Sequence, residues 1–179
     1  MQRSMARTPL ILAAGLAAAA LALAPTAEAR ACTGASSSPS ATTTFAAAVA
    51  TLCLVNRERT CRGLRALRAN SALSAAARDH SGDMVRRRYF AHGAFASCII
   101  AHGYAAGLRI RALGENIAWG SGRFATPARI VDSWMHSPGH RANVLQPKFR
   151  EAGAGVAASA PVSAFAGGAT YTFDFGARG

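Results

Sequence analysis

The chain has 179 residues, 51% of them apolar and 16% charged, with a formal net charge of +12 from 20 basic and 8 acidic residues. A length of this order fits one domain with a proper core. The positive charge favours acidic partners, but no basic run interleaves with aromatic residues and no nucleic-acid motif is present, so nucleic-acid binding is set aside.

The chain opens with Arg3 and Arg7, then an apolar run of 15 residues over 10–24, then Pro25-Thr26-Ala27-Glu28-Ala29. This is the pattern of a secretory signal peptide over residues 1–29, ending in Ala-x-Ala and cleaved after Ala29. The run is shorter than the ~20 residues that span a bilayer, and no later segment is longer. The expectation is therefore a secreted, extracellular protein that does not cross the membrane. Residues 30–44, rich in Ser, Thr, Ala and Pro, read as a flexible N-terminal segment. Residues 45–179 form the folded domain.

A first helix is expected over 45–60, with Phe45, Val49, Leu52 and Asn56 on its inward stripe and Gly63 as the stop. Ser71 should cap a second helix over 72–88, whose apolar face runs through Leu73, Ala76, Ala77, His80 and Met84. Residues 94–113 read as loop with a short helix within 97–106. Residues 114–120, bounded by glycine, read as an irregular or partly extended segment beneath a cleft. Thr126-Pro127 starts a third helix to about 135, with Ile130, Val131 and Trp134 inward. Ser137-Pro138 repeats that start for a short helix to 145. Two strands close the chain, over 154–158 and 169–175. The second alternates Tyr171, Phe173 and Phe175 against Thr170, Thr172 and Asp174. Helices first and strands last describe an α+β domain, with helices packed on a small antiparallel sheet. Trp119 and Trp134 are the expected core anchors.

Four cysteines, Cys32, Cys53, Cys61 and Cys98, follow the signal segment. An even number in an exported chain reads as two disulfides, with three possible pairings. Cys53 and Cys61 on one helix would stand ~12 Å apart, too far to bridge. The expected pairing is Cys32–Cys53 with Cys61–Cys98, the first tying the tail to the first helix. No C-x-x-C spacing suggests a cysteine metal site.

Chemistry concentrates at His92, Glu115 and His140, each inside a distinctive local sequence. Two imidazoles and a carboxylate form a workable set for Zn²⁺ or another divalent cation, with His92 and His140 as nitrogen ligands. His140, in the first turn of its helix, should have a lowered pKa that favours the neutral ring. Glu115 is the candidate general base of a metal-assisted hydrolase, although no H-E-x-x-H motif is present. His80 reads as a satisfied core residue, His102 as a loop residue without a visible partner, and His136 as exposed. Glu151 either reaches the site or caps the sheet edge. Ser137 reads as an N-cap, with no G-x-S-x-G around it. Asp79 and Asp83 read as solvated, near Arg86 and Arg87.

Several local sequences occur in one order: Leu54-Val55-Asn56-Arg57-Glu58-Arg59, His80-Ser81 with Met84, Tyr89-Phe90-Ala91-His92, Gly114-Glu115-Asn116-Ile117-Ala118-Trp119-Gly120, Trp134 through Leu145, Gly153-Ala154-Gly155-Val156, and Tyr171 to Gly176. Together they resemble the bacterial branch of the CAP superfamily, the SCP-like or cysteine-rich secretory, antigen 5 and pathogenesis-related-1 domains. The resemblance implies an α-β-α sandwich, with the small antiparallel sheet between helices and a central cleft of two His and two Glu that holds a divalent metal in some members. His92, Glu115 and His140 match three of those positions. The fourth, a glutamate, falls on Ser137. The lipid-binding loops of eukaryotic members have no clear counterpart. The expected role is binding a metal or small ligand at the cell envelope or outside the cell, with acidic cell-wall components or lipid as partners. The alternative is hydrolysis of a peptide or wall substrate.

Overall fold

The computed structural model describes residues 32–40, 43–162 and 168–179. The signal segment expected over residues 1–29 lies outside them.

Helix α1 (Thr44–Thr60) forms where expected, but it turns a different face inward. Phe45 and Val49 are 78% and 53% exposed, while Ala47, Ala50, Thr51, Leu54, Val55 and Arg59 are buried. The small side chains at 47, 50 and 51 let the helix approach its neighbours closely, so size decides the face rather than hydropathy alone. Buried Arg59 has no carboxylate partner among the described residues. Its guanidinium donates to the carbonyls of Arg65, Val144 and Gln146 at 3.0, 2.7 and 3.0 Å. Those bonds fasten the end of helix α5 (Pro138–Val144) to α1.

Helix α2 (Ser71–Arg87) buries the face read from the sequence: Leu73, Ala76, Ala77, His80 and Met84. Its cap is Asn70, one residue earlier than expected, with the side chain accepting from the Leu73 amide. A short α3 (Phe95–Ala101) follows, then α4 (Pro127–His136) and α5, both started by proline as expected.

Strands β1 (Arg68–Ala69), β2 (Ile110–Ser121), β3 (Glu151–Ala157) and β4 (Gly168–Arg178) form one sheet in the order β1-β3-β4-β2. The sheet is mixed: β1 runs parallel to β3, and the other pairs are antiparallel. The segment expected over 114–120 to be irregular or partly extended is extended throughout, as part of the 12-residue edge strand β2 held along its length by β4. Its glycines mark close approach rather than irregularity. A Cβ on Gly120 would lie 2.2 Å from the Phe124 carbonyl oxygen.

β4 is buried on both faces. Tyr171, Phe173 and Phe175 join the main core, where Phe173 meets Trp134 edge-on at 5.9 Å. On the opposite face Ser81 of α2 donates to Thr172 Oγ1 at 2.9 Å. Helices thus cover both sides of the sheet. Trp134 is 1% exposed, and its indole N–H donates to the Ile117 carbonyl at 3.2 Å. Trp119 is only half-buried, so one of the two expected tryptophan anchors carries the core.

Cys32 and Cys53 form a disulfide. Cys61 and Cys98 are free, so the second expected bridge is absent. Cys61 is exposed at the end of α1, whereas Cys98 packs on a separate cluster around Leu73, Ile99 and Tyr104. The tail is anchored beyond its disulfide as well. Ala35 O accepts from Ala128 N at 2.9 Å, and Ser38 Oγ donates to Gly122 O at 3.0 Å.

Candidate functional site

The site lies at the edge strand β2, whose alternation sends Glu115 toward α2 and Asn116 toward α5. Glu115 is 4% exposed, and its carboxylate stands between two histidines. His92, in the loop after α2, has Nδ1 2.7 Å from Oε1. His80, on the buried face of α2, has Nδ1 2.9 Å from Oε2. The second contact is close but poorly aligned, so it acts as an ion pair more than a directed hydrogen bond.

The protons of this cluster follow from its geometry. His80 Nε2 lies 2.9 Å from the Ala91 carbonyl, which can only accept, so Nε2 carries hydrogen. The other nitrogen faces a carboxylate oxygen, so a second proton lies between them. The surroundings favour that proton on the His80 side. Burial opposes the charge, but the contact with Glu115 and its negative charge outweigh burial and raise the His80 pKa. His92 then donates through Nδ1 to Oε1. In its neutral form this tautomer turns the Nε2 lone pair away from Glu115, and the His92 side chain is 52% exposed.

His140 approaches from α5. Its Nδ1 lies 2.9 Å from Ser137 Oγ, so Ser137 occupies the N-cap position while its hydroxyl serves His140 instead of the helix. The His140 pKa is lowered, the direction expected from its helix position, but the causes are burial first and then repulsion from His92 when that ring is charged. An amide relay sets α5 against β2. Asn116 Nδ2 donates to His140 O at 3.0 Å, and Asn143 Nδ2 donates to Asn116 Oδ1 at 2.9 Å and to Glu115 O at 3.1 Å.

Beside this cluster a groove of about 760 Å³ runs between α2 and α3, lined by His80, Asp83, Tyr89, Phe95 and Cys98 among others. Asp83 accepts from the Tyr89 hydroxyl at 2.8 Å and pairs with Arg86 and Arg87. His102, expected to lack a partner, lies 3.1 Å from Asp79. Glu151 does not join the site. It accepts from Tyr104 at 3.0 Å and from Arg178 Nε and Nη2 at 3.0 and 3.2 Å, which makes it an anchor of the sheet edge.

The profile of CAP, the Cysteine-rich secretory protein family, matches residues 52–174, more than half of the chain. The chain belongs to the CAP family. YkwD of Bacillus subtilis strain 168, described as uncharacterised, is 36% identical over an alignment of 114 residues, with coverage of 61% of this chain and 42% of YkwD. The chain thus spans about two fifths of the length of that relative. Two solved structures share the fold. One is an extracellular protein containing an SCP domain from Bacillus anthracis strain Ames, with TM-score 0.58, 24% identity, and coverage of 73% of this chain and 40% of that one. The other is an outer surface protein of Borrelia burgdorferi, with TM-score 0.59, 17% identity, and coverage of 72% and 90%. The α+β architecture read from the sequence is the CAP fold.

A metal held directly by His92, Glu115 and His140 of this CAP chain does not fit their arrangement. Both Glu115 oxygens face histidines, and among the described residues no three His, Cys, Asp or Glu side chains are placed to hold an ion. The same burial withholds the Glu115 carboxylate from a water it would have to activate. Two contributors to the site are missed by sequence reasoning. His80 reads as core from its place on α2; its clue is a titratable ring on an apolar helix face, which needs a buried partner. The other contributor is Asp174, which opposes Glu115 across the β2–β4 ladder. It is 2% exposed, and its Oδ1 has no hydrogen-bond partner among the described residues.

Burial first, then the charge of Glu115, pushes the Asp174 pKa well above the ordinary carboxyl range. A carboxyl with a raised folded pKa loses stability for the fold as pH climbs past its unfolded value of ~3.9. Asp174→Asn should therefore melt above the parent at pH 7, with the gap closing toward pH ~3.5. Thermal melts across that range test this. A variant equally destabilised at every pH would show that Asp174 is not held protonated.

Proposed function

We propose that this CAP chain is an exported binding module, acting at the cell envelope or outside the cell. Its cleft at the β2 edge takes a small polar ligand through the outer edges of His92 and His140. The 2.7 Å His92–Glu115 contact carries this reading. A buried carboxylate holds a half-exposed imidazole in one tautomer, which leaves Nε2 as an oriented acceptor for a ligand O–H or N–H. His140 adds a second ring whose lowered pKa favours the neutral form. The fold neighbours described as extracellular or outer-surface proteins support the location.

A small ligand is favoured over a tightly bound metal because Glu115 is committed to histidines. Imidazole-resolved NMR with two probes, N-acetylglucosamine and Zn²⁺, tests the reading. The sugar should shift the His92 and His140 signals, and His140→Ala should abolish the response. Zinc should bind only weakly. Tight zinc binding lost in Glu115→Gln would replace this reading with a metal site. Silence toward both probes would leave the cluster purely structural.

A hydrolase is the second reading, and the same short contact favours it, because a carboxylate-oriented imidazole is the arrangement of a general base. In that case His92, not the buried Glu115, would accept the proton from water. Turnover of a peptide or wall substrate that survives in His92→Gln would exclude it.

A further inference from the structure

A groove of about 820 Å³ lies where the ends of β2 and β4 meet the loop before β3, and it is lined by Arg109, Arg111, Lys148, Arg150 and Arg178. Arg178 is committed to Glu151. The other four are exposed, and none lies within 4.0 Å of a carboxylate among the described residues. Elsewhere Arg62 pairs with Glu58, Arg86 and Arg87 with Asp83, and Arg129 with Asp132. Arg57, Arg65, Arg78, Arg88, Arg123 and Arg141 also lack a carboxylate within 4.0 Å among the described residues, but none of them lines this groove, which gathers four such cations along one concave surface.

Its walls are held by backbone bonds. Gly179 N donates to Arg109 O at 3.0 Å, Arg109 N to Gly179 O at 3.3 Å, and Arg150 N to Gly176 O at 2.9 Å. Arg150 Nη1 is oriented by the Pro147 and Phe149 carbonyls.

We propose that this groove is a binding site for a linear phosphate-bearing polymer. Guanidinium forks suit phosphate oxygens, and a concave row of cations suits several phosphates along one chain better than a single small anion. Among the described residues no aromatic ring lines the groove, so stacking on nucleic-acid bases has no platform there. Ile110, its one large apolar side chain, is half-buried, so nothing in the lining projects into a bilayer. The lining shares no residue with the His92–Glu115–His140 cleft, so the two sites stand or fall separately.

The test is binding of linear sodium polyphosphate to the purified protein at several salt concentrations. The logarithm of affinity should fall against the logarithm of salt with a slope of about −2 to −3, as three or four cations release counterions. Arg109→Gln, Arg111→Gln and Lys148→Gln together should weaken binding at low salt by about tenfold or more and leave melting unchanged. Arg57→Gln, Arg65→Gln and Arg78→Gln together remove the same charge from other exposed positions; they should weaken binding less than about threefold. Equal losses in the two triple variants would assign the affinity to net charge and overturn the site. No binding by the parent would also overturn it. Groove-dependent binding that is as strong or stronger for polyglutamate, phosphatidylglycerol vesicles or duplex DNA would replace the phosphate polymer with that class.

Discussion

Gly155→Ala is expected to destabilise the protein by about 3 kcal/mol or more, beyond most overpacking substitutions. A Cβ at this position of β3 would lie 2.1 Å from both the Ala77 carbonyl carbon and the Arg78 amide nitrogen of α2. Gly153, two residues earlier on the same face, would meet the Ser74 amide nitrogen at 2.1 Å. The obstacle is helix backbone at both positions, so no rotamer change relieves it. Either the fold loses stability or α2 shifts off the sheet. A shift would carry His80 away from Glu115 and break the Ser81 bonds to Gly155 O and Thr172, now 3.1 and 2.9 Å. Urea unfolding gives the first quantity, and the His80 imidazole signals report the second. A variant that unfolds with the parent and keeps those signals would refute the close packing of α2 on β3.

Glu115→Ala is expected to cost about 3–5 kcal/mol, the range for removing one partner of a buried pair. It leaves His80 with its Nε2–H still on the Ala91 carbonyl and its Nδ1 facing nothing, and it frees the His92 ring. The loss should depend on pH in a definite direction. The folded pKa of His80 is raised above its ordinary value of 6.5, so the stability it contributes is complete below ~6.5 and disappears as pH rises through the folded pKa. The deficit of Glu115→Ala should therefore be largest near pH ~5.5 and narrow toward pH ~8.5. Glu115→Gln, which keeps the volume, should show the same trend with a smaller deficit. Denaturant midpoints at the two pH values decide this. A deficit that grows with pH would mean the shared proton belongs elsewhere.

Helix starts were legible from residue type because their causes are local. Thr126-Pro127 and Ser137-Pro138 each pre-set a first turn, and the apolar face of α2 repeats at helical spacing over 17 residues. The alternation of β4 was equally plain, since aromatic residues every second position leave little choice of face. The buried face of α1 was not legible. A helix made largely of Ala and other small residues has weak periodicity, and its true inward side is the one that lets backbones approach. The length and regularity of β2 were missed for a related reason: its glycines look like turn signals until the Phe124 backbone is set against Gly120. The second disulfide failed because pairing depends on where α1 and α3 end in space.

Motif order placed His92, Glu115 and His140 together, since each sits in a recognisable local sequence that survives without coordinates. By itself the sequence determined the helices and the strong closing strand, and it singled out three residues that the fold places near one another. Only the tertiary structure decided what the cleft is chemically. Helix packing brings His80 to Glu115 Oε2 while His92 takes Oε1, and strand register sets Asp174 opposite Glu115; these long-range placements occupy both carboxylate oxygens and leave the His92 ring half-exposed.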